Sequence, residues 1–414
     1  MEKAQSSPRV GTRAPRSTVS PPSGGDGLPV RLLRELSRGL SEIVHPAAGQ
    51  ILALDGLRAI AILLVIATHT SSEYLVAGGR STWLARLPIV QGGWVGVDLF
   101  FVLSGFFIGN QLWREQQTGH VSVGRFILRR GLRIWPLYFV VLATVLVLRI
   151  GTGTGAPWPD AFFMANYFGE RVIPGSWSLA TEEQFYILVP TLVWLGLRRN
   201  WSLADFRYGL AALMTVECCI RGVTWAICAG LATKSPSLEI SLLYMPFHTH
   251  CDGLLAGLLV SNLLTDASTR AVMSSSRVVW ALPSAAVLAI MLRQAHHAIF
   301  GYFGLALVFG AAVATCAGGT GWWTKLLSGR ALHVFARLSF GMYLNYRFIL
   351  PLLAEPICRI QAPDSLRLVL LYLSVLGGSA FLSASTFVLV ERPFLRWRHA
   401  LLSRTGKSPS RRLV

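Results

Sequence analysis

The chain has 414 residues, of which 53% are hydrophobic and only 14% charged, with a formal net charge of +18. A soluble domain carries about 25% charged residues, and the apolar residues here come in long runs rather than in stripes, so an ordinary soluble domain is excluded. The basic balance is not that of a nucleic-acid binder, because most Lys and Arg sit between the apolar runs instead of on one polar surface.

In chain order, residues 1–48 read as a disordered, basic cytoplasmic tail rich in Ser, Pro, Gly and Arg, with no secretory signal peptide. A short amphipathic helix around Val30–Val44 could bring Arg31, Arg34 and Arg38 to anionic lipid heads. Ten apolar runs follow, at 51–72, 92–113, 134–150, 179–197, 208–231, 244–264, 278–293, 298–317, 333–353 and 366–390. Runs of about 20 residues match a hydrocarbon core of about 30 Å. The fold class is therefore all-α, a polytopic membrane protein of about ten transmembrane helices, in one membrane domain over 49–398. Residues 399–414 form a second basic tail. With the N-terminus in the cytoplasm, 26 of the 38 Lys and Arg fall on the cytoplasmic side and 8 on the other. The remaining four, Arg58, Arg221, Arg337 and Arg347, lie within or at the ends of helices. That bias places both termini in the cytoplasm.

An ionisable side chain in the bilayer core costs at least ~2.5 kcal/mol on insertion scales, so each is a functional candidate by default. The first run, LDGLRAIAILLVIATHT, holds Arg58 and His69 eleven residues apart. Eleven steps of about 100° bring them to one face, separated by about 16 Å along the axis. Asp55 is placed to pair with Arg58. A neutral mid-membrane His can take a proton from a hydroxyl. In the second run, GWVGVDLFFVLSGFFIG, Asp98 is either functional or the structural partner of an Arg on a neighbouring helix, while Gly96, Ser104 and Gly105 allow close helix approach. RFILRRGLRIWPLY carries Arg125, Arg129, Arg130 and Arg133 at a helix entrance. The cluster is either a positive-inside anchor or a cradle for the phosphates of a nucleotide-like donor.

In PGSWSLATEEQFYILVP, Glu182 and Glu183 open a helix where acids favour the dipole, with Ser178 as a candidate cap and Trp177 and Tyr186 flanking. One of these acids could orient or charge-stabilise His69. HTHCDGLLAGLL sets His248 and Asp252 four apart on one helix face, and ARLSFGMYLNYRF adds Arg337, Tyr343, Asn345 and Arg347. No metal-ligand set can be assembled from these groups or from the six scattered cysteines, which read as apolar fillers. Neither a metal nor a bound cofactor is expected.

These segments together resemble the acyltransferase 3 family, bacterial membrane acyltransferases that modify surface glycans and some small molecules. The resemblance rests on the Arg-x10-His of Arg58 and His69, followed in order by GWVGVDLFFVLSGF, RRGLRIWPLY, WSLATEEQFY and VERPFLR. It runs from about Leu52 to Arg398. It implies ten helices, an acyl-CoA donor on the cytoplasmic side, a catalytic mid-membrane His69, and a donor role for Arg130 and Arg133. The chain departs from the family pattern at Tyr346, where many relatives carry His, and at His250, where relatives often carry Arg before the Asp. No esterase-like domain, of the kind some relatives carry after the last helix, is expected.

The resulting expectation is O-acyl transfer, in a bacterial inner membrane, from acyl-CoA (acetyl-CoA first) to a hydroxyl of a cell-surface polysaccharide or its glycolipid precursor. His69, Arg58, Glu182 and Glu183 form the catalytic set, and Arg129, Arg130 and Arg133 bind the donor. Asp98, Trp177, Tyr343, His250 and Asp252 are structural or line the acceptor side. His69 acts either as base or as acyl carrier. Two alternatives stand beside this reading: a small secreted metabolite, such as a glycosylated macrolide, as acceptor, and a proton-coupled secondary transporter. The absence of an internal repeat weighs against the transporter.

Overall fold

The computed structural model describes residues 28–148, 155–169, 171–232, 240–273, 300–319 and 322–404. Every regular element among these residues is helical. The principal helices are α1 (Leu28–Val44), α2 (Leu52–Val76), α3 (Gly96–Gln117), α4 (Val123–Leu148), α5 (Ser176–Arg198), α6 (Leu203–Ala232), α7 (Asp252–Leu263), α8 (Phe300–Gly318), α9 (Arg330–Cys358) and α10 (Asp364–Thr386). The chain divides at Arg38 into a short N-terminal unit and the unit Gly39–Val414, which holds α2 to α10.

Six helices among the described residues are long and apolar enough to cross a membrane by length and composition: Leu52–Val76, Gly93–Gln117, Val123–Leu148, Leu203–Cys228, Phe300–Gly318 and Asp364–Leu402. The helix expected at 278–293 lies outside the described residues, as do residues 1–27 and 405–414. Leu28–Val44 is helical, in line with the amphipathic helix expected there, and so is the start of the C-terminal tail, through Arg404.

Three expected helices differ in extent. α4 starts at Val123 rather than 134, because Phe126, Gly131 and Ile134 share a buried face and carry the helix through the arginines. The arginine cluster therefore sits on a helix, not at its entrance. The run 244–264 is broken: a π turn at Ile240–Tyr244 and a 3-10 turn at Phe247–Thr249 precede α7. The break has an electrostatic cause. The Glu217 carboxylate of α6 accepts the backbone N–H groups of Cys251 and Asp252 at 2.8 and 3.2 Å, which fixes the start of α7 with a negative charge at its positive end. The last run continues past its expected end through a π turn, Phe387–Glu391, into a helix Arg392–Arg404.

α3 and α7 pack most closely. A Cβ on Gly105 would collide with the Leu254 carbonyl, and one on Gly257 with the Val102 carbonyl. Glycines at both positions let two backbones meet inside an apolar bundle. α2 lies against α3, α9 and α10, so its residues face the centre of the unit. α6 instead shows Val216, Ile220, Val223 and Ile227 to the outside, as a lipid-facing helix does.

Candidate active site

His69 sits about two turns from the C-terminal end of α2, half-buried. Its Nδ1 lies 2.8 Å from the Val65 carbonyl and 3.2 Å from the Tyr346 hydroxyl of α9. A carbonyl can only accept, so Nδ1 carries the proton and the lone pair falls on Nε2. The buried Tyr346 ring stands 5.6 Å from the imidazole at an angle of 51° and confines it from one side. The Arg347 guanidinium, next along α9, lies within electrostatic reach of the same ring. The result is an imidazole oriented as a base, with a cation nearby.

Arg58 lies on the same continuous helix, about 16 Å away along its axis. It does not pair with Asp55, as its spacing suggested. Asp55 instead accepts from His333 Nδ1 at 2.8 Å and from Gln50 Nε2 at 2.6 Å. The Arg58 guanidinium rests on the Phe107 ring, 5.0 Å from its centre, in the field of Arg130, Arg133 and Glu182. Arg130 rests in the same way on Phe126 and Tyr186, at 5.8 and 5.7 Å.

The two adjacent glutamates face different neighbours. Glu182 accepts the Tyr186 hydroxyl at 2.6 Å, and that hydroxyl also meets Ser104 at 3.0 Å. Glu183 is buried and accepts the Trp135 indole N–H at 3.1 Å. Neither bonds to His69, so among the described residues the groups that orient His69 are Val65 and Tyr346. Ser178 does not cap its helix: α5 opens after Gly175, which has φ 86°, and Ser178 bonds to Tyr343 at 2.6 Å while Tyr343 donates to the Gly175 carbonyl at 3.1 Å. Tyr343 thus clips α9 to the start of α5.

A family model of the acyltransferase domain, Acyl_transf_3, matches residues 51–385. The chain belongs to the acyltransferase 3 family. It is similar to a peptidoglycan O-acetyltransferase, OatA, of Listeria monocytogenes, with 26% identity over 83% of this chain and 54% of that protein. It is also similar to a putative O-acetyltransferase of Staphylococcus aureus strain COL, with 29% identity over 39% of this chain and 28% of that protein. A putative peptidoglycan O-acetyltransferase of Bacillus subtilis, YrhL, is 32% identical over 35% of this chain and 24% of its own length. The chain thus spans about half of the Listeria relative and about a quarter of the other two. No solved structure matches it.

The remaining candidates gather into a second polar group around the start of α7. Among the described residues Asp98 meets no Arg; its partner is His250, Nε2 to Oδ1 at 2.7 Å, with both residues buried. His250 gives its Nδ1–H to the Tyr244 carbonyl at 2.6 Å, so a second proton lies in the bond to Asp98. Trp177 stacks on this imidazole at 6.1 Å and 20°, and Tyr244 and Tyr302 stand 4.6 and 4.5 Å from it. Asp252 binds Arg221 Nη2 at 2.6 Å, and Arg221 also binds Glu217 at 3.1 Å, all three buried. His248 and Asp252 do not share a helix face: His248 lies in the 3-10 turn and stacks on Tyr167 at 5.7 Å and 7°.

Several pairings were not visible in the sequence. Glu217 and Arg221 are four apart in an apolar helix, and that spacing of opposite charges within a membrane run was the signal that could have found them. Nothing local flags His333 as the partner of Asp55, since 278 residues separate them. Arg129 proves to be held by Glu115 at 2.5 Å, which sets it apart from Arg130 and Arg133. Among the described residues no group of three or more His, Cys, Asp and Glu could hold a metal ion.

Proposed function

We propose that this chain is a membrane-embedded O-acyltransferase that moves an acyl group, acetyl first, from acyl-CoA to a hydroxyl of a cell-surface polysaccharide or its lipid-linked precursor. The carrying observation is His69 with Nδ1 committed to the Val65 carbonyl and Nε2 left as a base, on the same helix as an Arg58 that lies among arginines. In this reading the donor's phosphates sit with Arg58, Arg130 and Arg133, and its pantetheine arm runs along α2 toward His69. The acceptor hydroxyl gives its proton to His69 Nε2 while its oxygen attacks the thioester carbonyl. The carbon–sulfur bond then breaks, and the leaving CoA thiolate takes the proton from the imidazolium.

The separation of about 16 Å along α2 supports a donor role for Arg58 rather than an oxyanion role beside His69. Arg347, within reach of the His69 ring, is the cation better placed for the oxyanion. Glu182 then balances charge among the donor arginines.

A cell-wall glycan as acceptor is supported by the Listeria relative, which is named a peptidoglycan O-acetyltransferase. With ten spans in a bacterial inner membrane, the 26-to-8 distribution of Lys and Arg supports an orientation with both termini cytoplasmic. The test is transfer of label from acetyl-CoA to glycan in membranes carrying the chain or its His69→Ala variant. Label in glycan only with His69 intact supports the reading, and equal labelling by the variant removes His69 from it.

A further inference from the structure

Two kinds of arginine stand out among the described residues. Arg129 is paired with Glu115, Arg392 with Glu42, and Arg221 with Asp252 and Glu217. Arg58, Arg130, Arg133, Arg337 and Arg398 make no ion pair among the described residues, yet they lie within electrostatic reach of one another. Arg58 is in the field of Arg133 and Arg130; Arg337 in that of Arg133; Arg398 in that of Arg133, Arg130 and Arg337.

They come from four elements: α2, α4, α9 and the helix Arg392–Arg404, which packs on α4. Three of them are held by ring faces rather than by acids. Arg58 lies over Phe107, Arg130 over Tyr186, and Arg337 over Phe387 at 5.0 Å. A guanidinium over a ring face, with no carboxylate bonded to it, has N–H groups to offer a bidentate acceptor. Most of the nearby acids are already engaged: Asp55 by His333 and Gln50, Glu42 by Arg392, and Glu182 by Tyr186. Glu391 lies beside Arg133 and Arg337, while Glu182 and Asp55 lie in the field of Arg58. Five cations gathered this way repel one another, the nearby acids offset that repulsion only in part, and a ligand carrying several negative charges relieves the remainder.

We infer that Arg337 and Arg398 complete, with Arg58, Arg130 and Arg133, the binding site for the phosphate groups of the acyl donor. Arg398 stands on the C-terminal helix Arg392–Arg404, two residues after the VERPFLR segment, so this helix adds a donor contact to those from α2, α4 and α9. The inference rests on the acyl-CoA reading above. The shared chemistry is a phosphate, which either a soluble donor or a lipid headgroup could bring.

The experiment measures binding of labelled coenzyme A to the full chain in nanodiscs of neutral lipid. The variants are Arg337→Gln, Arg398→Gln, Arg398→Lys and, as a control on the exposed Glu355 pair, Arg359→Gln. Each is first checked for wild-type helicity and a single size-exclusion peak. Loss of one bidentate phosphate contact weakens binding roughly tenfold in each Gln variant, with Arg398→Lys in between and Arg359→Gln unchanged. Wild-type affinity in both Gln variants overturns the inference while leaving the donor reading intact. No coenzyme A binding by the wild-type chain overturns the donor reading and the inference with it. Native mass spectrometry from phosphatidylglycerol-containing membranes supplies the second arm: loss of bound lipid in the Gln variants, with coenzyme A affinity unchanged, makes this a headgroup site and overturns the inference.

Discussion

Tyr346 and Val65 share one nitrogen of His69: the hydroxyl lies 3.2 Å, and the carbonyl 2.8 Å, from Nδ1. The carbonyl decides the tautomer, and the tyrosine confines the ring. Tyr346→Phe keeps the Val65 bond and most of the packing, so acetyl transfer should fall by less than about tenfold, whereas Tyr346→Ala frees the ring and should cost about a hundredfold, as misplacement by ~1 Å does. Initial rates with labelled acetyl-CoA compare the two, and equal losses would argue that the hydroxyl, not the ring, carries the effect.

Arg347 tests the oxyanion assignment separately. Arg347→Gln should lower kcat by about 10²-fold, the size expected for one oxyanion donor, with KM for acetyl-CoA little changed. A rise in KM at constant kcat would move Arg347 to the donor site.

The two glutamates should separate in the same assay. Glu182→Gln removes a charge among Arg58, Arg130 and Arg133 and should change the KM for acetyl-CoA by about tenfold or more, since charge-assisted contacts are worth about 1.5–3 kcal/mol. Glu183→Gln still offers an oxygen to Trp135 and should change KM little. Equal shifts in both variants would contradict the different surroundings of the two side chains.

The Glu217–Arg221–Asp252 cluster is a matter of stability. Removing one partner from a buried ion pair costs about 3–5 kcal/mol. Glu217→Ala also strips the acceptor from two backbone N–H groups at the start of α7. The variant should show a lower thermal midpoint in detergent and less protein in the membrane fraction, and an unchanged midpoint would mean that water replaces the carboxylate.

Gly105 probes the α3–α7 contact. Gly105→Ala drives a methyl into the Leu254 carbonyl, and overpacking of this kind costs about 1–3 kcal/mol. Its melting temperature should fall below that of Gly377→Ala, where nothing stands within 4 Å of an added Cβ.

The sequence by itself determined that this chain is a helical membrane protein and where most of its helices lie. Apolar run length is a one-dimensional property, set by the thickness of the bilayer. The 11-residue spacing of Arg58 and His69 on one helix also needed no tertiary information, because α-helical geometry alone puts them on one face. Charges inside helices misled that reading: the arginines of α4 looked like a helix entrance, and the broken start of α7 looked like continuous helix. Only the tertiary structure decided which acid meets which base. Asp55 chose His333 over the neighbouring Arg58, and Asp98 chose His250 rather than an arginine. Partner choice in a low-dielectric interior follows from which donors helix packing brings within about 3 Å, and the chain order of residues 152 or 278 apart carries no trace of it.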